Sequence, residues 1–305
     1  MDSPDPTPKI SVIIAHLNQL EDLARCLEAL VGGNRTADEI IVVDNGSITD
    51  PEEVCRRFPS VRLLREPTPG PGPARSLGAR AASGTILAFT DADCIPSPGW
   101  LAAVDAGLRA PDRHLLGGEV QVGVSDPRNM TAIEAYEAIF GFQVERYIRD
   151  MGFTVTCNLA MRSDVFDAVG PFGGLEIAED RDWGRRAVRA GYHFAFVPEM
   201  LVVHPARVTF AQLRAKWDRQ MGHDFEEARR SATGRLGFLL KALAMPVSIL
   251  AALPRILTTQ RVSSLENRWR AFFTLCRIRL YRALRMFWLL AGGDPRHLSG
   301  AWNRR

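Results

Sequence analysis

The chain has 305 residues, of which 46% are hydrophobic and 24% are charged, and this composition excludes a disordered or fibrous protein. The charge is unevenly spread: residues 1–207 hold 20 Lys and Arg against 29 Asp and Glu, whereas residues 208–305 hold 18 against 6. The five cysteines have no metal-binding or redox spacing, which favours a reducing compartment over a disulfide framework.

Residues 9–91 predict an alternation of strands and helices. Apolar runs indicate buried strands at Lys9–Ala15, Glu39–Val43, Val61–Leu64 and Thr85–Thr90. Helices are predicted over Leu20–Val31, with Asn18 as the cap, and over Ala74–Ala82. This order is typical of an α/β protein with a parallel sheet and right-handed crossovers. The acidic, proline-rich residues 1–8 are predicted to be a disordered tail without a signal-peptide core.

Carboxylates stand at the predicted strand ends. Asp91 and Asp93, separated by Ala92, follow the fourth strand, and Asp44 follows the second. Ligands of open α/β sheets bind just beyond such ends, and two aspartates two positions apart can share a hard cation that tethers a diphosphate. The alternatives are solvated loop acids for Asp91 and Asp93, and a turn cap for Asp44. No Gly-x-Gly-x-x-Gly follows the first strand, which argues against a dinucleotide-binding fold.

Residues 96–204 continue the alternation. We predict a helix after Trp100, a strand at Leu115–Val124, a helix within 130–148, a helix after Ser163 as its cap, and short strands at Phe194–Pro198 and Met200–His204. A second acidic cluster, which includes Glu179, Asp180 and Asp182, begins a helix that runs to Gly191. Acids in the first turn of a helix are also common for a purely structural reason, since they complement the helix dipole.

Taken in order, several segments of residues 9–205 resemble glycosyltransferase family 2 and its GT-A fold. The segments are Ser11–Ile14, Glu39–Ser47, Ala74–Gly78, Phe89–Asp93, Cys157–Ala160 with Phe166 and Phe172, and Glu179–Asp182 followed by Ala190-Gly191-Tyr192. The resemblance implies an α/β domain with a Rossmann-like, mostly parallel sheet over residues 9–207. The sequence departs from the family pattern at His16 and Ser76, and the resemblance implies that both residues touch the donor pocket.

The resemblance also implies a reaction and its residues. A sugar would pass with inversion from a nucleotide diphosphate sugar, a UDP-sugar first among the candidates, with Asp180 as general base. Mn²⁺ or Mg²⁺ would be held by Asp91, Asp93 and His204. Donor binding is implied for Ala15, Asn18, Asp44, Arg75, Asp91, Ala92 and Asp93, and acceptor binding for Asn158, Glu179, Asp182 and Trp183. The alternatives are a packing role for His204, a turn-forming role for Asn158, and an exposed helix face for Asp182 and Trp183.

The basic residues 208–305 form a predicted helical extension. The apolar stretch Leu236–Leu253 contains Lys241 and Pro246, and its uncharged run, residues 242–254, is shorter than the roughly 20 residues of a spanning helix. We therefore expect this stretch to enter or lie on a membrane, with spanning as the weaker alternative.

A second helix, over Arg268–Ala291, is predicted to be amphipathic. Its apolar stripe consists of Trp269, Phe272, Phe273, Cys276, Leu280, Leu284, Phe287 and Leu290, and its arginines lie outside that stripe. An arginine-rich face opposite an aromatic face is typical of a helix on an anionic membrane surface. The alternative is a helix that packs its stripe on the catalytic domain.

These features predict a peripheral or monotopic enzyme at the cytoplasmic face of the cell membrane. The expected acceptor is a glycolipid, a polyprenyl-linked molecule or an envelope polysaccharide, and no nucleic acid is expected because no base-stacking motif or zinc spacing is present. The alternatives are a sugar-phosphate nucleotidyltransferase and a non-catalytic nucleotide-sugar-binding protein.

Overall fold

A computed structural model describes residues 8–299, so the predicted disordered tail lies outside the described residues except for Pro8. Two compact units are present. The sheet unit comprises residues 8–121 and 143–204, and the helical unit comprises residues 122–142 and 205–299. The sequence placed the boundary at residue 207, whereas the structure also assigns Val122–Phe142 to the helical unit, because the helix in this segment packs within that unit.

The strands form one mixed sheet. They are β1 (Ile10–His16), β2 (Glu39–Asp44), β3 (Val61–Arg65), β4 (Ile86–Asp91), β5 (Ile95–Pro96), β6 (Leu115–Gly123), β7 (Asn158–Arg162) and β8 (Phe194–Pro205), in the order β3-β2-β1-β4-β7-β6-β8-β5. β1 runs parallel to β2 and β4, and β2 runs parallel to β3. β7 is antiparallel to β4 and β6, and β5 is antiparallel to β8. The prediction of a parallel sheet therefore holds for the first four strands of this order only.

The helices follow the predicted pattern with local differences. They are α1 (Leu20–Val31), α2 (Glu52–Arg56), α3 (Pro71–Ala81), α4 (Trp100–Arg109), α5 (Ala132–Phe140), α6 (Val144–Arg146), α7 (Ser163–Val169), α8 (Glu179–Arg189), α9 (Phe210–Ala228), α10 (Ala232–Ala251), α11 (Leu253–Thr258), α12 (Leu265–Leu290) and α13 (Arg296–Ser299), with a π-helical turn at Tyr147–Met151. The predictions that Asn18 and Ser163 cap helices were wrong, since Gln19 and Arg162 occupy the N-cap positions without a side-chain bond.

The sheet unit is built around apolar strand residues and the helices that cover them. Phe89 of β4 contacts Phe172 edge to face, and Phe172 packs on Trp183 of α8. These aromatic contacts join the strand that ends in Asp91 to the helix that begins at Glu179. The core thereby fixes both acidic segments within one unit.

The helical unit buries α5 between later helices. Its core joins Tyr136 and Ile139 of α5 to Leu275 and Ile278 of α12. Much of the predicted stripe of α12 is exposed, since Phe273 is 65% exposed and Leu284 is 70% exposed, whereas Phe272 and Leu290 pack partly against the core of the helical unit.

The arginines of α12 also differ from expectation. Arg282 is buried, and Arg268 and Arg270 donate hydrogen bonds to backbone carbonyls of the same unit. These three arginines are therefore not simply solvated, whereas Arg277 of the same helix is exposed. Within residues 8–299, one helical segment, Ala232–Thr258, is long and apolar enough to cross a membrane, and 22% of its most apolar window is buried.

Candidate active site

The carboxyl ends of β1, β2 and β4 meet at one edge of the sheet unit. In the parallel register, His16 lies opposite Asp44 and Ala15 lies opposite Asp91. This is the edge at which α/β sheets bind ligands. The structure thus brings together the acids that the sequence singled out at the ends of separate strands.

Asp44 is hydrogen-bonded to His16, a position at which the sequence departs from the family pattern. His16 Nδ1 lies 3.1 Å from Asp44 Oδ1, and the Gln19 backbone N–H donates to His16 Nε2 at 3.2 Å. Because Nε2 accepts, Nδ1 carries the proton and donates it to Asp44. Burial lowers the pKa of His16, which keeps the ring neutral. The signal for this pair was present in the sequence, since each residue follows an apolar run of adjacent parallel strands.

The loop after β1 is tied to the loop after β2. Asn18 adopts a positive φ of 57°, its side-chain Oδ1 accepts from the Ile48 N–H at 2.7 Å, and its backbone N–H donates to Ser47 Oγ at 2.9 Å. Asp44 Oδ2 accepts from the backbone N–H groups of Gly46 and Ser47, both at 3.2 Å. These bonds fix the positions of the two loops that follow β1 and β2, beside the carboxyl ends of these strands.

Arg75 of α3 bridges the two acidic segments. It is 4% exposed, and its guanidinium donates to Asp91 Oδ1 at 2.5 Å and to Glu179 Oε1 at 3.1 Å. Close packing makes this possible, since a Cβ on Gly72 would lie 1.8 Å from the carbonyl oxygen of Gly173, in the loop before α8. The sequence predicted Arg75 near the donor but did not reveal Glu179 as its partner.

Asp93 and His204 form a candidate metal centre. The antiparallel pairing of β5 with β8 brings Asp93 Oδ2 within 3.8 Å of His204 Nε2. Two ligand atoms at this separation can both reach one ion at roughly 2.0–2.2 Å. Burial raises the pKa of Asp93; the nearby His204 opposes this shift, and the negative charge of Asp91 adds to it. A bound cation would therefore stabilise the deprotonated carboxylate of Asp93.

Cys94 lies in the same group but does not suit the role of ligand. The candidate ligand atoms of Asp93, Cys94 and His204 lie within 4.8 Å of one another. Burial raises the pKa of the Cys94 thiol well above its usual range, which keeps it protonated, whereas metals bind the thiolate. Asp91 is not part of this group and pairs with Arg75 instead, so the geometry favours Asp93 and His204 over Asp91 as ligands.

Asp180 lies in the first turn of α8, next to Glu179. It is partly exposed, and its Oδ1 accepts from the Arg181 backbone N–H at 2.7 Å. Burial and the negative charge of Glu179 raise the pKa of Asp180 to about 7. A carboxylate with this pKa can accept a proton at neutral pH and hold it more strongly than an ordinary aspartate.

Asn158 and Trp183 are buried and hydrogen-bonded within the sheet unit. Asn158 is buried, donates to the carbonyls of Glu119 and Met200, and accepts from Trp100 Nε1. Trp183 is buried with its Nε1–H bonded to the Gly170 carbonyl. These bonds favour structural roles over the acceptor contacts expected from the sequence.

The side chains of Asp182 and Ala92 have limited capacity to bind the acceptor and the donor predicted for them. Asp182 forms an ion pair with Arg186 at 2.9 Å on a partly exposed part of α8. The side chain of Ala92 is buried, so it has only backbone groups to offer a donor.

The comparisons with known proteins identify the family. The family model for glycosyl transferase family 2 matches residues 11–172. Glycosyltransferase AglE of Haloferax volcanii is 34% identical over 217 residues, which cover 68% of this chain and 70% of that protein. Pre-mycofactocin glycosyltransferase of Mycobacterium tuberculosis is 24% identical over 215 residues, or 65% of this chain and 43% of that protein.

Solved structures share the fold. The mannosyltransferase PcManGT from Pyrobaculum calidifontis, in complex with GDP-Man and Mn²⁺, aligns with a TM-score of 0.59 and 21% identity over 94% of this chain and 89% of its own. GalNAc-T7 with UDP, GalNAc and Mn²⁺ aligns with a TM-score of 0.52 and 18% identity over 67% and 45%. The predicted GT-A fold is confirmed. The chain belongs to glycosyl transferase family 2 and is a glycosyltransferase, rather than the nucleotidyltransferase or non-catalytic binder considered as alternatives.

Proposed function

We propose that this enzyme transfers a sugar, with inversion at the anomeric carbon, from a nucleotide diphosphate sugar to a hydroxyl or phosphate acceptor at the cytoplasmic face of the cell membrane. The observation that carries the proposal is the Arg75 bridge. It joins Asp91, at the end of β4, to Glu179, the neighbour of Asp180. The bridge ties the strand end that leads to Asp93 to the helix turn that contains Asp180, and this supports a shared site for a cation and a base, the two groups that the reaction needs.

The protein residues have separate tasks in this proposal. Asp180 accepts the proton of the acceptor hydroxyl while that oxygen bonds to the anomeric carbon and the bond to the diphosphate oxygen breaks. A base placed opposite the leaving group gives inversion. Arg75 holds Asp91 and Glu179 in fixed positions, and Glu179 in turn sets the proton affinity of Asp180.

Asp93 and His204 would hold the metal ion. When bound, Mn²⁺ or Mg²⁺ carries the negative charge that develops on the leaving diphosphate. An imidazole ligand favours Mn²⁺, because Mg²⁺ is a harder cation that prefers oxygen ligands. His204 therefore supports Mn²⁺ as the working ion.

The hydrogen bonds of Asp44 support a UDP-sugar as donor. A carboxylate offers about four lone-pair sites, and three of those of Asp44 are used by His16 and by the backbone N–H groups of Gly46 and Ser47. One site is left for a nucleobase. Uracil and thymine present one N–H on the pairing edge, whereas guanine presents N–H groups at two adjacent positions, so a pyrimidine base fits better.

A donor screen on the full chain tests this proposal. We expect a UDP-sugar with Mn²⁺ to raise the melting temperature, because a ligand at a hundred times its Kd stabilises the folded state by about 2.7 kcal/mol. A dTDP-sugar should act similarly and a GDP-sugar less. A larger shift with the GDP-sugar would contradict the role given to Asp44, and the absence of any shift would contradict the donor site.

The helical unit supports the membrane part of the proposal. α10 packs against α12, and both carry exposed apolar side chains. These include Leu236, Leu240, Leu243, Val247 and Leu250 of α10 and Trp269, Phe273, Leu280 and Leu284 of α12. Exposed apolar surface of this extent is typical of an interaction site. Its occupant in this proposal is an anionic membrane, since residues 208–305 are strongly basic.

Vesicle flotation tests the membrane association. We expect the double variant Leu243→Asp, Leu284→Asp to bind vesicles of phosphatidylcholine and phosphatidylglycerol at least about tenfold more weakly, because each leucine loses a burial energy of about 1.5–3 kcal/mol. The matched control is Val208→Asp, which changes a side chain that is 73% exposed and lies outside α10 and α12. Equal flotation of the double variant and the wild type would contradict the membrane role.

A further inference from the structure

The helical unit contains a buried arginine without an anionic partner. Arg282 of α12 is 9% exposed, and within residues 8–299 its guanidinium forms neither a hydrogen bond nor an ion pair. The guanidinium carbon of Arg282 lies 3.6 Å from the centroid of the Trp217 ring on α9. The Nε1–H of Trp217 is buried and, within residues 8–299, makes no hydrogen bond of good geometry, although the Tyr136 hydroxyl lies close enough to interact with it.

The neighbouring carboxylates are already paired. Glu137 accepts from Arg207 at 2.6 Å and lies 3.4 Å from Lys216, and Asp224 pairs with Lys241 at 2.7 Å. Arg279, one turn before Arg282, donates to the hydroxyl of Ser248. Within residues 8–299 neither Arg279 nor Arg282 forms a direct ion pair, and only the more distant charge of Asp224 partly offsets that of Arg282.

The packing contacts alone do not offset the cost of this arrangement. Burial of an ionised side chain costs more free energy than a desolvated cation–π contact returns. Burial lowers the pKa of Arg282 to about 10, with the positive charge of Arg279 adding to the shift. A guanidinium remains charged at neutral pH even so, and a bound anion would supply the missing interaction.

We propose that Arg282, Arg279 and the Trp217 Nε1–H form a binding site for a phosphate group within the helical unit. A phosphate carries up to two negative charges, which matches two arginines without a direct ion pair, and guanidinium groups bind it through paired N–H donors. The source is a phosphorylated lipid headgroup or acceptor, or a free phosphate. The lipid source rests on the membrane association proposed above, whereas the site itself does not.

Thermal unfolding of the full chain with inorganic phosphate tests the site. We expect phosphate to raise the melting temperature of the wild type but not that of Arg282→Met, which keeps the length of the side chain over Trp217 and removes the charge. Without phosphate, Arg282→Met should be at least as stable as the wild type, because an uncompensated buried charge is gone. The matched control is Arg277→Met on the same helix, where the arginine is exposed; it should respond to phosphate like the wild type.

A purely structural arginine would give a different result. Arg282→Met would then be less stable than the wild type by the same amount with and without phosphate, and this outcome would overturn the proposal. If Arg282→Met does not fold, Arg282→Lys is used instead, since it keeps the charge and loses the paired donors. We expect its Kd for phosphate in calorimetry to rise about tenfold, a change of about 1.4 kcal/mol; a Kd equal to that of the wild type would refute the site.

Vesicles separate the two sources. If a lipid supplies the phosphate, adding phosphatidic acid to phosphatidylcholine vesicles strengthens binding of the wild type but not of Arg282→Met. If the phosphate is free, both proteins bind these vesicles equally and only dissolved phosphate distinguishes them. Donor-induced stabilisation with Mn²⁺ is measured in parallel, so a failure of the proposed sugar transfer is recognised independently of this site.

Discussion

Replacement of Asp180 by Asn is expected to lower turnover by about 10²–10⁴-fold, the usual contribution of a general base. The amide has nearly the same shape and can still accept from the Arg181 N–H, but it cannot take a proton. Donor binding should be retained. The measurement is release of the nucleoside diphosphate from the donor that gives the largest thermal shift with Mn²⁺.

The control for Asp180→Asn is Asp164→Asn, an exposed aspartate in the first turn of α7. It should retain wild-type turnover. Because the folded-state pKa of Asp180 is raised, its carboxylate destabilises the fold once the pH exceeds the unfolded value, so Asp180→Asn should melt no lower than the wild type at pH 8. Turnover within a few fold of the wild type would eliminate Asp180 as the base.

The pH dependence gives a second test of the same assignment. Asp180 acts when deprotonated, so activity should rise with pH through its pKa of about 7. In Glu179→Gln the neighbouring negative charge is absent, and the rise should move to lower pH, while the amide oxygen can still accept from Arg75. A rise that stays near pH 7 in this variant would indicate that another group titrates.

Replacement of Asp93 by Asn should remove most of the Mn²⁺ affinity and, with it, the metal-dependent binding of the donor. Loss of the ion should cost at least about 10²-fold in turnover, because charge stabilisation by a metal is worth several kcal/mol. Stability without metal should not fall, since burial makes the charged form of Asp93 unfavourable. Calorimetric titration with Mn²⁺ in the absence of donor measures the effect directly.

Cys94→Ser is the matched control for the metal centre. Its sulfur lies among the candidate ligand atoms, but burial keeps the thiol protonated, so the variant should bind Mn²⁺ like the wild type. His204→Gln should weaken binding, because the imidazole is the other proposed ligand. If Cys94→Ser lost as much affinity as Asp93→Asn, the thiolate would be a ligand and the assignment of this centre would be incorrect.

Several parts of the site could be predicted because their signals are local. A run of consecutive apolar residues predicts a buried strand. The polar residue that follows the strand lies at the edge of a parallel sheet where ligands bind. This reasoning predicts that Asp44 and Asp91 lie at one edge of the sheet, and the strand register places them there. The ordered motifs also predicted the family, which the comparisons confirm.

Pairings between distant segments could not be predicted in the same way. The bridge from Arg75 to Glu179 depends on the close approach of Gly72 to the Gly173 carbonyl, which no pattern in either segment specifies. The sequence does not predict the antiparallel half of the sheet, because nothing in the residues of β7 indicates the direction in which this strand pairs with β4. Direction is decided by which chain segment reaches the free edge of β4.

For α12, the helix itself is predictable from the sequence, but the side that it buries is not. The residue pattern is enough to predict a helix with an apolar stripe and arginines outside it. It could not determine which side is buried, because the opposite side also offers packing residues such as Ala271 and Ile278. Tertiary packing against α5 buried that side, with Arg282 among the buried residues, and left much of the stripe exposed. The outcome depends on shape complementarity between helices, a property that the hydrophobicity of one segment does not contain.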